Sequence, residues 1–233
     1  MSMLPAILDA VFGALSARAS SLDEAQAVYG IDAENETQIQ YIAALGIQRA
    51  GLGVSREAYY PGGAAPGVPD SGRMRCDLCV TPAADQELID PLRLARERAR
   101  ADETLFGAAL RHRDPEPRGY APEEAWWIEV KSVAQHACRD GVFTPNTRYA
   151  SALIEGLASD VEKLASDDRI WHAAVLMIVF TRDEDTFTND LHAAVASVVG
   201  RGLPVRTPVS DSCAIADRAG NACMGVALVP VAT

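Results

Sequence analysis

Lysine is nearly missing from this 233-residue chain: 19 of its 21 basic residues are Arg, and only Lys131 and Lys163 are Lys. Together with heavy Ala usage, that split suggests a GC-rich bacterial genome. A Lys retained in such a chain marks a position where Arg, with its planar fork and fixed charge, does not substitute. Positive charge is scarce altogether. Against 32 acidic residues the formal charge is -11, divided -6 and -5 between residues 1–116 and 117–233. No basic arm hides behind an acidic partner domain, and coating of nucleic acid by bulk charge is excluded. Cysteines number only five, an odd count that makes no disulfide scaffold in a chain of this size. Cys76 and Cys79 form a C-x-x-C with no second pair at zinc spacing, and the four His are scattered. These two Cys flank a strand-like run, in which i and i+3 face opposite ways. They read as buried free thiols, with a metal site as the alternative. No apolar run approaches the ~18 residues of a membrane span. The phosphate-loop, dinucleotide, nucleophile-elbow and H-E-x-x-H motifs are all absent, so P-loop NTPases, Rossmann dehydrogenases, α/β-hydrolases and zincins lack sequence support.

What is present is an ordinary globular composition, 48% hydrophobic and 23% charged, enough apolar material for a real core. Residues 4–15 could pass for a signal-peptide core, but no Lys or Arg precedes them and Asp9 interrupts them. Leu4, Ile7, Leu8, Val11, Phe12 and Leu15 instead follow the spacing of an amphipathic helix, and the expected setting is cytoplasmic. A second helix is expected over 32–50, with Asp32 as N-cap and Gly51 and Gly53 ending it. Short strands are expected at 54–60 and 73–80, around a Gly/Pro-rich loop at 61–72. Residues 83–122 form an insert: an Arg-rich helical stretch to 113, then a Pro-rich connector. WWIEVKSV (126–133) is strongly β-like. A helix over 148–166, an almost continuously apolar strand over 171–180, and a helix over 187–200 follow. Strands are expected near 203–209, 212–216 and 222–230, the last two joined by a turn at Asp217–Asn221. This order implies one α/β domain, a mixed sheet flanked by helices.

One strand concentrates the chemistry. Glu129 and Lys131, two apart, project from one face, while Ile128 and Val130 go to the opposite, core face. The strand at 73–80 carries Asp77 among apolar neighbours, where a carboxylate is costly unless paired or metal-bound. On the second helix Glu36 falls on the apolar side near Ala43 and Ile47, whereas Glu34 faces Tyr41 and Leu45.

The set Glu36, Asp77, Glu129-Val130-Lys131, in the order helix, strand, strand, strand, helix, strand, resembles the PD-(D/E)XK nuclease superfamily over roughly residues 33–180. The resemblance implies a restriction-endonuclease-like fold and Mg²⁺ (or Mn²⁺) held by Asp77 and Glu129, with Glu36 as auxiliary ligand or orienter and the Val130 carbonyl as a candidate further ligand. It implies that Lys131 orients or deprotonates water and stabilises charge on phosphate. Gln135 falls where some members carry a polar site residue, and Arg73 and Arg75 are candidate substrate contacts. A literal Pro69-Asp70 exists in the Gly/Pro loop, but Asp77, borne on a strand, is taken as the motif acid. Hard Mg²⁺ with carboxylate ligands suits phosphodiester hydrolysis, because the attacked phosphorus is already anionic.

The expected function is thus a metal-dependent nuclease acting on DNA, with a homodimer or partner protein allowed and no membrane involved. Its rivals are a non-catalytic subunit or nucleic-acid-binding module of the same fold, and a metal-dependent hydrolase of small phosphate esters. Asp160 and Lys163 read as a polar margin of their helix, with phosphate binding as the alternative. Trp126 and Trp127 read as core and interface residues, with base stacking as the alternative. The insert carries seven Arg and five acids between 91 and 118, a pattern that fits a DNA-contacting helix and a solvated, ion-paired one equally.

Overall fold

The computed structural model describes residues 3–63, 74–102, 119–139, 142–218 and 220–232. Six strands form one sheet in the order β1-β2-β3-β6-β8-β7: β1 Gly53–Tyr59, β2 Arg75–Thr81, β3 Trp126–Ala134, β6 His172–Thr181, β7 Val209–Ala214 and β8 Cys223–Val231. Only β3 and β6 are parallel; the other neighbours are antiparallel. The parallel step needs a crossover, and helix α4 (Tyr149–Ala165) supplies it. A separate hairpin, β4 (His136–Arg139) with β5 (Val142–Pro145), precedes α4. The chain is therefore an α/β protein with a mixed sheet.

Helices cover both faces. Helices α1 (Met3–Glu24) and α2 (Glu36–Arg49) bury Ile7, Val11, Leu15, Ile39 and Ile47 against Ile128, Val130, Leu176 and Leu228. Helices α4 and α5 (Glu184–Gly200) bury Leu157, Val161, Phe187 and Val198 against Trp127, Val175, Met177 and Val229. Two apolar faces explain why β6 reads as a continuous hydrophobic run: every residue from Ala173 to Thr181 is buried. They also correct one expectation. The face shared by Glu129 and Lys131 is not a solvated side opposite the core; it lies under α4, and Glu129 is only 4% exposed. Helix α1 is long and apolar enough to cross a membrane by length and composition. Here it packs on α2, where Gly46 leaves room for the Ala10 carbonyl and the Ala14 methyl, into which a Cβ would collide.

Several boundaries differ from the sequence reading. Asn35, not Asp32, caps α2, through a reciprocal box with Gln38. Asp32 lies one step earlier, in a short 3₁₀ turn (Ile31–Ala33), and is buried. The expected strand over 203–209 is reduced to a single bridge, Val205 to Val231, because Pro204 and Pro208 lack the N–H that a ladder needs. The β4–β5 hairpin was not anticipated; its sequence signal is the turn-favouring Asp140-Gly141 between two short runs. Of the insert, helix α3 (Pro91–Asp102) is described, while 103–118, most of the 61–72 loop with Pro69-Asp70, and Arg73 lie outside the described residues.

Candidate active site

The sheet opens at Asp77. On one side the β2–β3 ladder stops at Leu78 with Ile128. On the other, the β1–β2 register skips the position between Arg56 with Leu78 and Ala58 with Cys76, because Glu57 has a positive φ of 55°. A non-glycine residue in that region is uncommon and costs energy. The distortion has two consequences. Cys76 and Cys79, expected on opposite faces, both join the α4/α5 core as free thiols. In addition, the Asp77 side chain takes over the ladder: its Oδ2 accepts the Val130 N–H at 2.7 Å. An extended residue sends its N–H and C=O to the same strand edge, so the Val130 carbonyl opens on the same gap.

Around this gap the structure gathers Glu36, Asp77, Glu129 and Lys131. Asp77 lies within hydrogen-bonding reach of Glu129; burial first, then the Glu129 charge, pushes its carboxyl up to about 6. Glu36, first residue of α2, reaches over from the other face. Its Oε2 accepts the Ser132 N–H at 3.2 Å and stands 3.5 Å from Lys131 Nζ. Burial alone would lower the Lys131 ammonium, but Asp160, Glu36 and Asp77 together outweigh it and hold it above the ordinary lysine range. The surrounding acids therefore favour the charged, hydrogen-bond-donating form of Lys131.

Four further residues complete the cluster. On α4, Gly156, Asp160 and Lys163 follow at i, i+4 and i+7, one helix face. Gly156 makes room: a Cβ there would stand 3.1 Å from Lys131 Cδ. Asp160 Oδ2 lies 3.7 Å from Lys131 Nζ and, buried, has no hydrogen-bond partner among the described residues. Burial pushes the Asp160 carboxyl up. Lys163 Nζ pairs with Glu129 Oε1 at 2.6 Å and donates to the Arg75 carbonyl at 2.9 Å. Tyr60, stacked on Trp127 with ring centroids 5.4 Å apart, donates its hydroxyl to the same Glu129 oxygen. Burial first, then Cys76 and Glu129, raises the phenol, so it stays a donor.

Both lysines of the chain thus stand in one cluster, 32 residues apart in sequence. The scarcity that singles out Lys131 applied equally to Lys163, and that was the signal for it. Asp160, like Lys163, was read as a polar margin of its helix rather than as a site acid; Tyr60, just past the end of β1, carried no sequence signal. The remaining candidates are engaged elsewhere. The Arg75 guanidinium lies over the Tyr59 ring and donates to its hydroxyl at 2.7 Å. Gln135 accepts the Arg182 N–H beyond the end of β3. Trp127 is fully buried, its indole N–H on the Pro122 carbonyl.

Four carboxylates (Glu36, Asp77, Glu129, Asp160) against two ammonium groups leave two negative charges when all are ionised, the charge that one divalent cation cancels. The oxygen-only acid set and the orphaned Asp160 oxygen suit a hard cation. As they stand the acids are interleaved with lysines, and among the described residues no three His, Cys, Asp or Glu side chains form a ready-made cage. Asp77 and Glu129 are the pair such an ion would join. No family model, curated protein or solved structure matches this chain.

Proposed function

We propose that this protein is a metal-dependent phosphodiester hydrolase, a nuclease acting on DNA, with Asp77, Glu129 and Lys131 at its centre. One observation carries the reading. Acids from α2, β2, β3 and α4 and the only two lysines converge where the sheet splits. The element order around that split also supports it: α2, two antiparallel strands, β3 with Glu129-Val130-Lys131, crossover helix α4, and β6 parallel to β3. That is the order a restriction-endonuclease-like fold of the PD-(D/E)XK superfamily requires.

In this reading Asp77, Glu129 and the Val130 carbonyl hold Mg²⁺ or Mn²⁺. When bound, the ion supplies neutralisation of phosphate charge and a more acidic water. The chain's own residues do the rest. Lys131, kept protonated by Asp160, Glu36 and Asp77, donates to the attacking water or to a phosphate oxygen and offsets the charge that develops there. Glu36, tied to the Ser132 N–H, and Asp160 position the Lys131 ammonium from either side. Tyr60 fixes the Glu129 carboxylate. The overall charge of -11 argues that substrate is held locally, through the ion and the arginines of the insert, rather than by a broad basic surface.

The test is cleavage of single- and double-stranded DNA and of RNA with Mg²⁺ or Mn²⁺. Cleavage by wild type that falls by roughly a hundredfold or more in Lys131→Met and Asp77→Asn is expected. If wild type cleaves nothing, the non-catalytic module of the same fold is the better reading. If it turns over only mononucleotide esters, the small-ester hydrolase is.

A further inference from the structure

We propose a second ligand site at the other end of the sheet, one that takes a nucleotide: a planar base carrying a phosphate. Where β3 and β6 begin, a cleft of about 400 Å³ is bordered by Trp126, Trp171, His172, Arg206 and Pro230. Its volume falls within the range of small-molecule sites.

Two of the chain's three Trp are here. Trp126 and His172 are direct partners in the parallel register. Their rings stack, with centroids 5.0 Å apart and planes at 16°. Trp171 beside them is 59% exposed. Leaving an indole in water forgoes the gain from burying its large apolar surface, and aromatic faces of this kind stack on any base. The charge of the cleft points the same way. No acid lines it, although acids outnumber bases 32 to 21 in the chain. Arg206 has its backbone pinned, its N–H donating to the Pro230 carbonyl at 2.8 Å. Its guanidinium has no partner among the described residues. A guanidinium left free beside ring faces matches a phosphate attached to a base. A base without phosphate forgoes the guanidinium, and phosphate alone forgoes the rings, so tight binding requires both.

This site is separate from the carboxylate cluster. Trp126 packs with the α1/α2 core, on the opposite sheet face from Glu129 and Lys131, and no metal is needed. The inference therefore stands whether or not the protein cleaves DNA.

The test is a fluorescence and calorimetric titration of the full chain in EDTA with AMP, adenosine, inorganic phosphate and hexathymidylate. Saturable tryptophan quenching by AMP is expected, with adenosine roughly tenfold weaker and inorganic phosphate without effect. Arg206→Ala, which keeps all three Trp, should bring AMP down to the adenosine level. Trp171→Ala, at a position 59% exposed, should weaken binding roughly fivefold or more by calorimetry. Hexathymidylate binding more tightly than AMP would identify a strand as the source of the nucleotide; the reverse order would identify a free nucleotide. The proposal is overturned if neither saturates at ~10 mM, or if Arg206→Ala leaves both unchanged.

Discussion

Replacing Lys163 by Met removes an ammonium while keeping most of its unbranched stem, and the structure gives the consequence. The Glu129 side chain is 5% exposed and Lys163 24%, with 2.6 Å between charged atoms. Breaking a buried pair from one side costs about 3–5 kcal/mol, since the remaining charge is left without its counter-ion. Two features reduce that figure: Lys163 is one-quarter solvated, and Tyr60 still donates to Glu129. A loss of about 2–3 kcal/mol is expected, or roughly 4–12 °C in Tm for a chain of this length. Divalent metal should reverse the order of effects. In wild type an arriving ion must displace Lys163 from Glu129; in the variant it meets the carboxylate uncontested. Mn²⁺ should therefore bind Lys163→Met about tenfold more tightly or better, a gain of ~1.4 kcal/mol, and raise its Tm more than that of wild type. Thermal melts with and without Mn²⁺, together with calorimetric titration, read both quantities. If the variant melts with wild type and binds Mn²⁺ no more tightly, Lys163 is not the cation that neutralises Glu129.

The other predictions concern charge, space and a buried polar knot. Burial and the Glu129 charge push the Asp77 carboxyl up to about 6, above its ordinary 3.8, so folding without metal favours its protonated form relative to the unfolded chain. That contribution to stability is complete below the unfolded value and is lost as pH rises through 6. Asp77→Asn, whose side-chain oxygen can still accept the Val130 N–H, should melt higher than wild type at pH 7 without metal, and its melts should lose this pH dependence. For the same reason Mn²⁺ binding to wild type should tighten as pH climbs past 6. Gly156→Ala should add roughly 1 kcal/mol of helix propensity while crowding Lys131, so phosphodiester cleavage should fall although Tm does not. Asn221 is fully buried, donating to Asp32 and to the His136 carbonyl and accepting the His136 N–H. Asn221→Ala should cost roughly 2–4 kcal/mol in urea unfolding.

Those parts of the fold carried by long periodic segments were legible in the sequence. Helices α1, α4 and α5 and strands β3 and β6 have one unbroken pattern each, and their residues fall in the expected elements. Where a single residue or short segment decides, the pattern misled. Asn35 displaced Asp32 as cap because it forms a box with Gln38, and two prolines dissolved the strand over 203–209. Of the site, Glu129 and Lys131 were legible because strand parity is set locally, and Glu36 because helix angle is; Asp77 was legible only as a costly acid among apolar neighbours. Tyr60 was not, since its place depends on stacking with Trp127 across the fold. Neither was the break at Asp77, which follows from the unusual backbone of Glu57 on the neighbouring strand. Lys163 was half legible: its rarity marked it, but only the packing of α4 on β3 brings it to Glu129.

The most direct measurement of the central claim is an anomalous difference map from a crystal soaked in Mn²⁺. A single strong peak between Asp77 and Glu129, beside the Val130 carbonyl, with Lys163 withdrawn from Glu129, is the predicted result. A map with no peak there, Lys163 still on Glu129 and manganese bound elsewhere or nowhere would contradict it.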